Sequence, residues 1–186
     1  YQRKGVARAL ELKRLIIGDE PGLGKTGQSI ATVYHANAFP CIVICPSSLK
    51  INWQREWSKW TDKKAMILED KIKNTWHRYY ETGMASVFIV NYESLKKYFV
   101  DEINVPEGKK MRLNHIKFND RIKMFKSVII DESHRCKSFA TQQSKFVKGI
   151  AAGKEYIIEL TGTQGINKPI ELMTQLGIIG RESYVG

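Results

Sequence analysis

Cysteine is scarce in this chain: three in 186 residues, Cys41, Cys45 and Cys136. So few, and an odd number, in a chain long enough to bury a core unaided argue against a disulfide framework and for a reducing, intracellular setting. Long apolar runs are missing too. The longest, "LIIG" and "CIVIC", fall far short of the ~20 residues that span a bilayer. Residues 1–14 carry charges where a signal peptide would carry an apolar stretch, so neither secretion nor a membrane partner is expected. Acidic residues are outnumbered, 19 Asp and Glu against 30 Lys and Arg, for a formal net charge of +11. That excess suits a polyanionic partner, nucleic acid before an acidic membrane, although basic domains without such a partner also exist. What remains, 42% hydrophobic and 26% charged, is an ordinary globular mixture. The chain begins at Tyr1 rather than at methionine and stops just after a helical pattern. A single excised domain over 1–186 is expected.

Apolar runs alternate with helical patterns from end to end. Residues 2–14 read as an amphipathic helix with Val6 and Leu10 on one side and the stem of Arg14 laid along it. "LII" is a strand, followed by a glycine-rich loop and a helix from Lys25 to Ala38. "CIVIC" is a strand apolar on both faces. "SLKINWQREWSKW" is a helix whose Trp53, Trp57 and Trp60 recur at helical spacing and are expected in the core rather than stacked on bases. "AMILE", "SVFIVN" and "SVIIDE" are strands, a helix covers Thr141–Ala152, "EYIIEL" is the last strand, and Pro169 starts a closing helix. Such alternation means a parallel sheet between two layers of helices, with ligands at the carboxyl ends of the strands. The stretch 96–126 is less regular, with nine Lys or Arg against four Asp or Glu; it reads as a hairpin or an insertion, a solvated basic surface or a nucleic-acid contact. Cys41, Cys45, His134 and Cys136 would make a zinc set, but the first two flank "IVI" and pack better as small apolar groups.

Two loops carry chemistry. In "GDEPGLGKT" (18–26), Gly22, Leu23 and Gly24 supply a turn whose N–H groups aim at one point. Lys25 supplies the charge for β- and γ-phosphate, and Thr26 a hydroxyl for Mg²⁺. The strict P-loop pattern asks for glycine where Asp19 stands, and an ordinary strand-to-helix turn is the competing reading. In "VIIDESH", Asp131 suits a metal ligand and Glu132 a base for the attacking water; paired carboxylates at a strand end can also cap a helix. The two motifs in one parallel sheet favour ATP and Mg²⁺ as cofactors.

"GDEPGLGKT", "DESH" and "LTGT" resemble motifs I, II and III of superfamily-two helicase-like ATPases. "YQRKGV", "CPSSLKINWQREW" and "NYESL" narrow the resemblance to the Swi/Snf-type translocases, and "DESHRCKS" to their HepA-related annealing-helicase branch with its bacterial and phage relatives. The resemblance covers essentially the whole chain, in the family's order, and Asp19 is the residue the family usually carries there. It implies a three-layer α/β fold, RecA-like, with a mostly parallel central sheet. It also implies roles: Gln2 at adenine; Asp19, Glu20, Pro21, Gly22, Leu23, Gly24, Lys25 and Thr26 around the nucleotide; Thr26 and Asp131 at the metal; Lys25 and Glu132 in catalysis. His134, Thr161, Gly162 and Thr163 would relay the γ-phosphate state, with a satisfied helix-start histidine the other reading of His134. Pro46, Ser47, Ser48, Asn52, Asn91 and Tyr92 would meet the phosphates of one strand of double-stranded DNA. The chain departs from the family at Gln164 and Gly165, where proline and an aliphatic residue are usual, and at Pro21, where methionine is common.

The arginine that completes such a site comes from a second RecA-like lobe, for which the residues after "LTGT" are too few. The sequence therefore reads as one half of a DNA-translocating ATPase, expected to bind ATP weakly and hydrolyse it poorly when isolated. An RNA-directed superfamily-two lobe and a non-catalytic, nucleotide-dependent binding module are the alternatives.

Overall fold

The computed structural model describes residues 2–18, 24–133, 141–162 and 177–180. Its centre is a six-stranded sheet built from β1 (Arg14–Ile17), β2 (Cys41–Cys45), β3 (Ala65–Ile67), β4 (Val87–Asn91), β7 (Ser127–Asp131) and β8 (Tyr156–Leu160), in the order β1-β8-β7-β2-β4-β3. Every pairing in it is parallel. The reason lies in the strands: β2 is buried at all five positions, as expected where helices cover both faces. Side chains alternate between the two covers. Cys41, Val43 and Cys45 face one core with Val87, Ile89, Ile129 and Ile158, while Ile42 and Ile44 face the other with Phe88, Val90, Val128 and Ile130.

The first face is covered by α2 (Lys25–His35), through Ile30 and Val33, and α3 (Lys50–Trp60), through Trp53 and Trp57. Against α2 lies α1 (Gln2–Leu12), whose buried residue is Ala9, with Val6 and Leu10 half-buried. The opposite face is covered by α4 (Trp76–Glu81), α5 (Leu95–Phe99) and α6 (Gln142–Ala151). Trp76, 1% exposed, organises that side. It stacks on Phe125 with centroids 5.5 Å apart and meets Phe88 and Phe99 edge-on, geometries favoured by the ring quadrupoles.

Three readings of the sequence are corrected. α1 stops at Leu12 because Lys13 takes a left-handed conformation, φ 62°. Arg14 therefore opens β1 instead of extending the helix. α2 ends at His35, three residues earlier than expected. Trp60 is 55% exposed rather than in the core. It is the last residue of α3 and overhangs Gly27 at the groove between α1 and α2, and its indole N–H donates to Glu56 at 2.7 Å. Pro169 lies outside the described residues. Cys41 and Cys45 are buried in β2, and burial pushes both thiols up to about 12.

The irregular stretch is a two-stranded antiparallel hairpin, β5 (Val100–Ile103) with β6 (Ile116–Phe118). It docks through Phe118, whose ring lies on bare helix backbone at Gly149: a Cβ there would stand 2.1 Å from Phe118 Cζ. Gly149→Ala is therefore expected to push the hairpin off α6, costing about 1–3 kcal/mol less the ~1 kcal/mol that alanine gains as a helix former. A lowered melting temperature together with faster proteolysis within 104–115 is the expected readout; an unchanged protein would show that the contact is dispensable.

Candidate active site

The carboxyl ends of the strands form one line, and β8 lies between β1 and β7. Leu160 pairs with Ile17 on one side and with Asp131 on the other. One residue further, the N–H of Thr161 donates to the Ile17 carbonyl at 3.1 Å, and the Thr161 methyl group would touch a Cβ placed on Gly18 at 3.9 Å. Thr161 is buried and Gly162 half-buried.

From the β1 side comes the start of α2. Gly24 caps this helix with φ 78° and ψ 27°, a left-handed conformation that a side chain would strain. Lys25 and Thr26 are the first helical residues, and no acidic residue or side-chain cap occupies this first turn among the described residues. The start of a helix with no acidic residue in its first turn suits an anion, through its N–H groups and the positive end of its dipole. A cavity of about 270 Å³ opens there, lined by Gly24, Lys25, Thr26, Asn52, Glu56 and Trp60 among others. A larger one, about 540 Å³, runs along the α1–α2 groove and shares Gly27 and Trp60 with it.

From the β7 side come the carboxylates. Asp131 ends the strand, and Glu132 follows with φ 55°, an uncommon conformation for a residue with a side chain. The Glu132 N–H donates to Asp131 Oδ1 at 2.9 Å, and the Trp53 indole Nε1–H donates to Oδ2 at 2.7 Å. Burial pushes the Asp131 carboxyl above the ordinary aspartate range, and the Glu132 charge adds to that. The Trp53 hydrogen bond, the Glu132 N–H and the positive charge of Lys25 pull it back. The Lys25 charge thus acts on Asp131, as the weakest of these influences. Cys45 sits in the same field: burial raises its thiol first, the Asp131 charge second.

The donor set suits magnesium with nucleotide. A threonine hydroxyl and a carboxylate are hard oxygen ligands. With one N–H on each oxygen, the carboxylate keeps further lone pairs for a cation or its waters.

Of the other candidates, Ser47 and Ser48 are exposed in a single helical turn, Ser47–Leu49, beyond buried Pro46 at the end of β2. Asn91 ends β4, accepts from Lys50 Nζ at 3.4 Å and donates to Glu93 at 2.9 Å. Asn52 lies at the phosphate-side cavity with Lys25 and Thr26. Tyr92 is turned inward, 1% exposed, with its hydroxyl donating to the Asp131 carbonyl at 2.6 Å; from there it holds a strand end and does not reach a passing phosphate. Gln2 begins α1. Asp19, Glu20, Pro21, Gly22, Leu23, His134, Thr163, Gln164 and Gly165 lie outside the described residues. Two residues given no role in the site from sequence enter it, Glu56 and Trp53, the latter from the core position expected of it. The i, i+4 spacing of Asn52 and Glu56 was a usable signal for the first; nothing local pointed the indole of Trp53 at Asp131.

Comparison with known proteins concerns the chain as a whole. The family model of the SNF2-related domain matches residues 1–185. The human DNA annealing helicase and endonuclease ZRANB3 is 31% identical over 95% of this chain and 15% of its own length. The Bos taurus SWI/SNF-related matrix-associated actin-dependent regulator of chromatin subfamily A-like protein 1 is 29% identical over 95% of this chain and 17% of its own. The chain thus spans less than a fifth of these two relatives. Among solved structures, the Sulfolobus solfataricus SWI2/SNF2 ATPase core in complex with dsDNA superposes with a TM-score of 0.71 at 26% identity, covering 99% of this chain and 37% of that one. The Pyrococcus furiosus Hef helicase domain, at 14% identity and a TM-score of 0.65 over 97% of this chain and 35% of that one, shares the fold.

Proposed function

Because the chain belongs to the SNF2-related domain family, we propose that it is the ATP-binding first lobe of a motor that hydrolyses ATP and tracks along double-stranded DNA. The observation that carries this reading is the convergence of strand ends around β8: Leu160 pairs with Ile17 on one side and Asp131 on the other, the Thr161 N–H donates to the Ile17 carbonyl, and the Lys25 charge acts on Asp131.

In this reading Lys25 and the N–H groups at the start of α2 hold the phosphates, and Thr26 and Asp131 hold magnesium. Held there, magnesium would supply charge neutralisation at the phosphoryl group. Glu132 orients the attacking water and accepts its proton. Thr161 and Gly162 lie where a change at the γ-phosphate is felt first, and His134 and Thr163 continue that relay. Ser47, Ser48 and Asn91 take the phosphates of one DNA strand, and the net charge of +11 supplies the long-range attraction. A second RecA-like lobe contributes the arginine worth about 10³–10⁵ in rate. The Sulfolobus ATPase core is in complex with dsDNA, which supports duplex DNA as the track. The chromatin and DNA named for the relatives support work in the compartment that holds DNA. Among the described residues no helix is long and apolar enough to cross a membrane.

The test is ATP hydrolysis by the full-length protein with duplex DNA, single-stranded DNA or duplex RNA. Stimulation by duplex DNA is expected to exceed that by RNA; the reverse would make this an RNA-directed motor. Salt should erode the stimulation steeply, since phosphate contacts release counterions.

A further inference from the structure

Two buried side chains end on Asp131 without being demanded by the chemistry of hydrolysis. The Trp53 indole N–H binds carboxylate oxygen Oδ2 at 2.7 Å, and the Tyr92 hydroxyl binds the main-chain carbonyl at 2.6 Å. Each residue is 1% exposed. Trp53 lies in the first turns of α3, directly after exposed Ser47 and Ser48, and Tyr92 follows Asn91 at the end of β4. These are the two segments proposed to meet DNA phosphates. They are tied to each other on the outside by Lys50 and Asn91 at 3.4 Å and to Asp131 on the inside by their aromatic rings.

We propose that Trp53 and Tyr92 are positioning residues that fix Asp131 for a magnesium–nucleotide and make its placement depend on the two segments that take the DNA. The inference rests on the motor reading above. An indole ring is rigid and burial restrains the two torsions that join it to α3, so a displacement of α3 passes to Oδ2. Packing holds the ring, and the ring holds the carboxylate in one rotamer. Tyr92 acts on the backbone of the same residue. Its hydroxyl fixes the carbonyl that precedes Glu132, whose φ of 55° is the bend that sets the direction of the second carboxylate. One pair of hydrogen bonds thus sets both acidic groups. DNA seated on Ser47, Ser48 and Asn91 moves or steadies them through α3 and the end of β4, so the track biases the metal site without touching it.

The experiment uses the full-length protein in three forms: wild type, Tyr92→Phe, and a form with Trp53 exchanged for 3-benzothienylalanine, which keeps the two-ring outline and replaces N–H by sulfur. Affinity for a fluorescent ATP analogue is measured with Mg²⁺ and in EDTA, each with and without duplex DNA. The expected result is an affinity with Mg²⁺ weakened about tenfold, the scale of groups that orient metal ligands, unchanged affinity in EDTA, and a smaller effect of DNA on the Mg²⁺-dependent part. Equal losses with and without Mg²⁺ would mark these residues as structural only and overturn the proposal, as would no loss in either variant. A wild type whose nucleotide binding ignores Mg²⁺ would instead overturn the motor reading itself, so the two failures are told apart.

Discussion

Glu132→Gln is expected to lower DNA-stimulated ATP hydrolysis by the full-length protein about 10²–10⁴-fold, the usual worth of a positioned general base, while nucleotide binding persists. The amide fills the same space and keeps the backbone, so the bend at φ 55° and the N–H bond to Asp131 Oδ1 survive. What is lost is an oxygen able to take a proton from water. Asp131 cannot substitute for it in this reading. Its oxygens already accept the Trp53 and Glu132 N–H groups, and its remaining lone pairs would be taken up by the metal. Phosphate release measured under saturating DNA, beside equilibrium binding of nucleotide, separates the two effects. A variant that hydrolyses ATP at the wild-type rate would remove Glu132 from the base role and revive a switch or scaffold that binds nucleotide without needing to cleave it.

Glu159→Leu is expected to stabilise the protein, and more so as pH rises. Glu159 is fully buried in β8 between Ile16 of β1 and Ile130 of β7, on the face that packs against α6. Among the described residues no hydrogen bond of normal geometry reaches either carboxylate oxygen, and the nearby Ser133 side chain offsets the burial only in part. Burial therefore holds the carboxyl well above the ordinary glutamate value. The sign follows from linkage. Below the unfolded-state value both states are protonated and nothing is lost. Above it the unfolded chain ionises while the fold retains its proton, so stability falls by about 1.4 kcal/mol per pH unit until the folded-state value is passed. Leucine abolishes that slope. Melting temperatures of wild type and variant at pH 5 and pH 8 should diverge at the higher pH; an equal gap at both would mean that Glu159 finds a partner and does not carry the proton.

Much of the architecture was legible because its signals are local. The apolar runs in "CIVIC" and "SVIID", alternating with helical patterns, fit strands of a parallel sheet covered on both faces, and Gly24 before Lys25 marks a turn that only glycine enters easily. The basic stretch was readable as a hairpin or an insertion, but its docking was not: the fit of Phe118 onto Gly149 joins residues from different elements and leaves no periodic trace. Helix ends misled for a related reason. Arg14 continues the amphipathic pattern of α1, yet Lys13 turns left-handed, its ammonium paired with Glu155 at 2.9 Å across the sheet end. Trp60 has the spacing of a core residue, but spacing reports direction around a helix, not whether anything lies opposite.

Residue types and their order determined the alternating architecture, the cation and hydroxyl at one strand end and the acidic pair at another, since each is encoded within a short stretch. Tertiary structure alone decided that Trp53 and Tyr92 would close on Asp131 and that the Glu159 carboxyl would be shut between two apolar strands. Those outcomes depend on strand order, and a sheet that runs β1-β8-β7-β2-β4-β3 makes neighbours of residues whose separation along the chain carries no distance information.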